Sequence, residues 1–301
     1  MTEAEGIAEP LVGMIGLGSM GGCLAERLLG AGRAVIGHDP GERARDRFVG
    51  AGGISLDDPA AVAAEAGLLI VAVPTVEAFR AVVERIAGVP REGWILDLDT
   101  LLPEEKAAAR DRLAPTGWTM LDATVSGTPE MVAADAHSLY ISGDGREAPE
   151  VQALLAQLGP KVFDMGAFGN AAAIKLIINH MVIAHNVVAA EAMSLAIHAG
   201  MDPLRAYETV AASAGSSRIF ELRGRMMAHG DYPDADMYAL IVDKDARLIA
   251  DMARELRHPV PMLAAAVQQH VLAMAEGYGG KDPASLCAMM EKQVGAVRRA
   301  G

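Results

Sequence analysis

The feature that most narrows the possible folds is Gly16-Leu17-Gly18-Ser19-Met20-Gly21, three glycines at fixed spacing between an apolar run and a helical pattern. LVGMIG (11–16) precedes it and GCLAERLL follows, the order of a strand that turns straight into a helix. Each glycine has its own task in such a turn: a tight bend at Gly16, close approach of a pyrophosphate at Gly18, and close helix packing at Gly21. Backbone N–H groups from Leu17 through Ser19 and Met20 then hold the anion at the helix start. A second apolar run ends on Asp39, eighteen residues beyond Gly21, where a carboxylate accepts adenosine ribose hydroxyls and repels a 2'-phosphate. NAD is the expected cofactor, with NADP admissible because Arg43 and Arg45 stand close by.

Further apolar runs, AVIGHD (34–39), LLIVAVP (68–74), WILDLD (94–99) and TMLDATV (119–125), alternate with Ala-rich helical stretches. That alternation predicts an α/β Rossmann-type, doubly wound domain whose parallel strands are buried on both faces. Val73-Pro74 closes one of these strands at the edge where the dinucleotide lies. From Val162 onward strand-like runs disappear, and about 169–199 reads as one long helix that ends at Ala199-Gly200, before Pro203. Helical patterns follow at about 203–213, 217–228, 236–257 and 259–276. The expected organisation is a dinucleotide-binding domain over 1–165, then a long interdomain helix within an all-α domain over 166–301 that serves substrate binding and dimerisation.

A formal charge of -13 without any basic run argues against nucleic acid and anionic membranes as partners. The acidic N-terminal MTEAEGIAEP has no basic start ahead of an apolar core, and polar residues are expected to interrupt each apolar segment before membrane-spanning length. Cys23 and Cys287 have no His or Cys neighbours at metal-ligand spacing, which predicts neither zinc nor a disulfide framework and suits a reducing cytoplasm.

Lys175 is out of place in the apolar stretch AAAIKLIIN, and Asn179, four residues on, shares its helical face. In apolar surroundings a lysine loses part of its preference for the charged form and can exchange a proton with an alcohol. Loss of that proton must accompany hydride transfer from an alcohol carbon, and Asn179 is placed to fix the reacting group. His180, His185 and His198 share the helix but fit no metal triad, and His137 reads as a structural residue.

These segments resemble the β-hydroxyacid dehydrogenase family, which includes 3-hydroxyisobutyrate dehydrogenase, tartronate semialdehyde reductase and 6-phosphogluconate dehydrogenase. The resemblance runs from Val12 to Leu286 and rests on GLGSMGGCLAERLL, Val73-Pro74, DLDTLLP (97–103), DATVSGTPEMVAADAHSLYISG (122–143), the long helix, Lys244-Asp245 and GYGGKDPASL. It implies that Thr100 contacts the nicotinamide-side ribose, that Ser126 and Gly127 bind the substrate carboxylate with Thr128 beside them, and that Lys244 lies on the cofactor side. It also implies that Lys175 is the catalytic acid–base and Asn179 its partner. Asp99 stands where the family usually has Ser, and Thr124, Thr128, Met131 and Asp135 replace its usual Pro and Gly residues, so the substrate wall differs.

The expected activity is NAD-dependent, reversible oxidation of a small 3-hydroxy acid to its semialdehyde or keto acid, in a homodimer or homotetramer. Two other readings stay open at this point. Asp99 could read a cationic substrate in an imine or amino-carbonyl reductase, or the chain could bind a dinucleotide without turnover.

Overall fold

In a computed structural model, residues 10–298 are described. Two compact units divide the chain between Lys175 and Leu176.

The first unit carries an eight-stranded sheet: β1 (Val12–Ile15), β2 (Val35–His38), β3 (Ile54–Ser55), β4 (Leu68–Val71), β5 (Gly93–Asp97), β6 (Trp118–Ser126), β7 (Ser138–Ser142) and β8 (Val162–Asp164). Their order is β3-β2-β1-β4-β5-β6-β7-β8. All neighbours are parallel except β6 and β7, which are antiparallel. The helices of this unit are α1 (Ser19–Gly30), α2 (Glu42–Gly50), α3 (Pro59–Glu65), α4 (Val76–Ala87), α5 (Pro103–Leu113), α6 (Pro129–Ala133) and α7 (Pro149–Leu158).

Alternation along the strands explains the layers. Val12, Met14, Leu68, Ile70, Leu96 and Leu121 meet Leu24 and Leu28 of α1 and Leu154 of α7 on one face. Ile15, Leu69, Val71, Ile95 and Met120 meet Val62 of α3, Phe79 of α4 and Leu113 of α5 on the other. A strand covered on both faces can be apolar throughout, so these segments read as unbroken hydrophobic runs. Strand order reverses between β1 and β4, and a crevice opens at the carboxyl ends of such a pair in an open parallel sheet.

The long helix α8 (Asn170–His198) enters from the sheet. Its first turn is fastened there: Ala172 N–H donates to the Asp122 carboxylate at 2.9 Å, and Thr124 Oγ1 donates to the Ala171 carbonyl at 3.2 Å. At 29 residues, α8 is long and apolar enough to cross a membrane by length and composition. This corrects the expectation that polar residues interrupt every apolar segment first, since its polar side chains are scattered rather than clustered. One of them, the fully buried Asn186, accepts a hydrogen bond from Arg223 at 3.0 Å.

The second unit continues with α9 (Pro203–Ala211), α10 (Arg218–His229), α11 (Met237–Ala239), α12 (Ala246–Glu255), α13 (Pro261–Ala275) and α14 (Leu286–Val294). The helix expected over 236–257 is divided by a π-helical turn, Leu240–Asp245, where each carbonyl bonds one residue further along than in an α-helix. Arg223 ties this unit together with a two-pronged bond to Asp282, at 2.7 Å and 3.2 Å, within the core.

Candidate active site

The glycine turn sits at the β1–β4 switch. Gly16 has φ +95°, and a Cβ there would run into the Ala72 carbonyl oxygen, so only glycine suits both the backbone and the contact. A Cβ on Gly21 would strike the Gly16 carbonyl, which lets α1 start directly on the turn. Gly18 caps that helix without a side-chain hydrogen bond, and nothing lies within 4 Å of where its Cβ would be. A twelve-residue helix therefore starts at a glycine with open space beside it, the setting in which a helix N-terminus receives a phosphate. This shape fits a dinucleotide.

Asp39, just past β2, accepts from Leu17 N–H at 2.8 Å and from Gly41 N–H at 2.7 Å. Two amides fix the carboxylate and leave it lone pairs for a ribose. Arg45 donates to the backbone carbonyls of Asp39 and Pro40 at 2.7 Å and 2.9 Å, so its guanidinium is tied to the chain beside that carboxylate.

One strand further along, Val73 N–H donates to Asp99 Oδ1 at 2.6 Å, joining the ends of β4 and β5. Thr100 is half-buried beside it, and Pro74 is exposed. Asp99 itself is buried, which sets it apart from a group that reads solvent-borne substrate. Behind it lies a cluster that sequence reasoning missed. Lys106 of α5 is fully buried and contacts Asp97 at 3.0 Å and Asp122 at 2.9 Å. Burial opposes the Lys106 charge, but the two carboxylates outweigh it and hold the ammonium above the ordinary lysine value. In PEEKAAARDRL nothing distinguishes this lysine from a solvated one, because the groups that bury it come from other strands.

Lys175 donates from Nζ to the Val125 carbonyl at 2.8 Å. Val125 immediately precedes Ser126 and Gly127, so the helix lysine and the loop singled out for a substrate carboxylate lie together at the end of β6. The Thr128 hydroxyl serves as the cap of α6, accepting from Met131 N–H at 3.4 Å. His137 packs below the loop: its Nε2 lies 2.8 Å from the Leu158 carbonyl, and a Cβ on Gly127 would come within 2.8 Å of the His137 Cβ. Its place is structural.

In the second unit, Asn179 donates from Nδ2 to Asp245 at 2.9 Å, which orients the amide and leaves its oxygen as an acceptor. Asp245 and the half-buried Lys244 end the π-helical turn, a distortion frequent at functional sites. Among the described residues, no group of three or more His, Cys, Asp or Glu side chains is placed to hold a metal ion.

Comparison with known proteins agrees with this geometry. Residues 11–169 match a model of the NAD-binding domain of 6-phosphogluconate dehydrogenase, and 169–290 match one described as NAD-binding of NADP-dependent 3-hydroxyisobutyrate dehydrogenase. L-threonate dehydrogenase of Cupriavidus necator is 32% identical over 280 residues, covering 91% of this chain and 94% of the relative. Mitochondrial 3-hydroxyisobutyrate dehydrogenase of Homo sapiens is 28% identical, covering 94% and 87% respectively. A crystal structure of 3-hydroxyisobutyrate dehydrogenase from Salmonella typhimurium superposes with a TM-score of 0.82 at 27% identity, over 93% of this chain and 99% of the other.

Proposed function

Since the chain belongs to the β-hydroxyacid dehydrogenase family, we propose that it oxidises a small 3-hydroxy acid reversibly to the semialdehyde or keto acid, with Lys175 as the general acid–base. It is an oxidoreductase acting on CH–OH groups with a nicotinamide dinucleotide as cofactor. The observation that carries the Lys175 assignment is the 2.8 Å bond from Nζ to the carbonyl that precedes Ser126.

When bound, the nicotinamide accepts or donates the hydride. The chain's own residues do the rest. Ser126 and the Gly127 amide hold the substrate carboxylate by dipoles. Lys175, as the neutral amine, takes the hydroxyl proton during oxidation; as the ammonium it returns that proton during reduction. Asn179 offers its oxygen to the hydroxyl, with the amide held in place by Asp245. Asp39, held by two backbone amides, supports NAD over NADP, because a 2'-phosphate would meet a carboxylate. Assays of 3-hydroxy acids, semialdehydes and sugar acids with both cofactors test this reading. At least one acid should turn over, with kcat/KM higher for NAD; no turnover across the panel would overturn it.

The exposed side of α8 supports assembly. Ile177, Met181, Val188 and Leu195 are all exposed, and Leu195 reaches 70%. Their spacing of four and seven residues sets them on one helical face, a stripe that a second copy of the chain would cover in a homodimer or homotetramer. Light scattering should find an oligomer that Leu195→Glu dissociates; a monomeric wild-type protein would refute it. A cytoplasmic location suits the two free cysteines, Cys23 and Cys287, and is tested by cell fractionation.

A further inference from the structure

Asp99 is buried to 4% exposure at the edge where the dinucleotide lies, yet the mechanism gives it no proton to move and no substrate to touch. Two further buried carboxyls, Asp97 and Asp122, share one ammonium beside it. Asp97 at the end of β5 and Asp122 on β6 are both fully buried, and both contact Lys106 from α5. Asp122 is well supplied, since Ser142 of β7 donates to it at 2.9 Å and Ala172 N–H at the start of α8 donates at 2.9 Å. Asp97 Oδ1 accepts from the Asp99 backbone N–H at 3.2 Å, and Asp97 Oδ2 pairs with the Lys106 ammonium at 3.0 Å without a hydrogen bond of good geometry. Asp99 is the poor member of the set. Its Oδ1 accepts from Val73 N–H; its buried Oδ2, like that of Asp97, has no hydrogen-bond donor among the described residues, but only the Asp97 oxygen lies against the ammonium.

An ionised carboxylate in that position is buried, forms no ion pair with Lys106, and stands beside the Asp97 charge. A neutral carboxylic acid removes both problems: Oδ1 still accepts from Val73, and a hydroxyl has the neighbouring Asp97 carboxyl, with which the Asp99 side chain interacts, as its acceptor. We propose that Asp99 is a positioning residue carrying a proton shared with Asp97, and that this neutral acid holds the Val73–Pro74 edge in the shape that receives the dinucleotide. Burial first, and the neighbouring Asp97 charge second, push the Asp99 carboxyl well above the usual carboxylate range, while Lys106 and the Val73 amide act the other way. Burial also raises Asp97, against the pull of Lys106. The proposal rests on the reading of this edge as the cofactor site.

The sign of the pH effect follows. A carboxyl with a raised folded-state value stabilises the protein fully below the ordinary carboxylate range. That contribution is lost as pH rises toward the folded-state value, when the proton leaves and two buried carboxylates face each other. In wild type, the denaturation midpoint and the affinity for NADH should both fall with rising pH, the affinity by up to about tenfold per pH unit once the shared proton titrates.

Asp99→Asn keeps an acceptor for Val73 and a donor for Asp97 without a titratable proton, so it should bind NADH like low-pH wild type and remove the pH slope from both measurements. The probe is NADH alone, followed by fluorescence, beside urea denaturation across the same pH range. Infrared spectra of wild type supply a readout that does not depend on the variant folding: a protonated-carboxyl band at neutral pH that disappears in alkali. Equal slopes in wild type and Asp99→Asn, or no protonated-carboxyl band, would overturn the proposal. Failure of NADH to bind at every pH would instead overturn the site reading, with denaturation and infrared still deciding whether the proton is there.

Discussion

Lys175→Met is expected to lower kcat by roughly 10²- to 10⁴-fold, the range that general acid–base catalysis contributes, with NADH binding unchanged. The side chain donates to the Val125 carbonyl at 2.8 Å, at the end of β6, where Ser126 and Gly127 follow. Methionine keeps the apolar stem and removes the only atom able to exchange a proton. The Gly16–Gly21 turn, Asp39 and Val73 are untouched, so the cofactor should still bind. Lys175→Arg is the sharper companion, because a guanidinium retains charge and hydrogen bonding but stays protonated at any accessible pH. It should fail to restore turnover. Turnover within about tenfold of wild type in Lys175→Met would remove Lys175 from the proton transfer.

The second large effect concerns stability. Lys106→Met should destabilise the protein by about 3–5 kcal/mol, the usual cost of removing one partner from a buried ion pair. Asp97 and Asp122 would then lie in the core with no ammonium between them. The damage would not stay local, because Asp122 also receives Ser142 from β7 and the Ala172 amide from α8. Urea denaturation measures the loss. A change below about 1 kcal/mol, the value of an exposed pair, would mean that the cluster is solvated or relaxes freely.

The two substitutions separate chemistry from architecture. Lys175→Met should leave the denaturation midpoint near wild type, whereas Lys106→Met should lower it in protein that still turns over while folded. Both residues are lysines on helices, in AAAIKLIIN and PEEKAAAR, and only one declares itself in the sequence. Lys175 stands out because its neighbours are apolar. Lys106 does not, because Glu104, Glu105 and Arg110 surround it with the charges of an ordinary solvated helix.

The same contrast runs through the fold. β1, β2, β4, β5 and β6 are legible as apolar runs because each is buried on both faces. β3 has two residues and β8 three, too few to establish a pattern. β7 lies inside the stretch 122–143 and alternates buried with half-buried residues. The π-helical turn at Leu240–Asp245 has no Gly or Pro to mark it, so the sequence there reads as continuous helix.

What the sequence determined by itself is the set of features written in neighbouring residues: the Gly16–Gly21 turn, Asp39 at the end of the next strand, the parallel α/β pattern and the long helix bearing Lys175 and Asn179. Local spacing specifies these because a turn, a strand or a helix face is built from residues a few positions apart. Which charges leave water is set by contacts between distant segments. Asp97, Asp99, Lys106, Asp122, Ser142 and Ala172 come from β5, the segment after it, α5, β6, β7 and α8, and no short window contains them all. A carboxyl's state depends on the solvent it loses and the charges it meets, and both are set by segments that folding brings together. For the same reason, the sequence leaves Asp99 open between ribose and substrate, while in the fold it is buried with one oxygen on the Val73 amide.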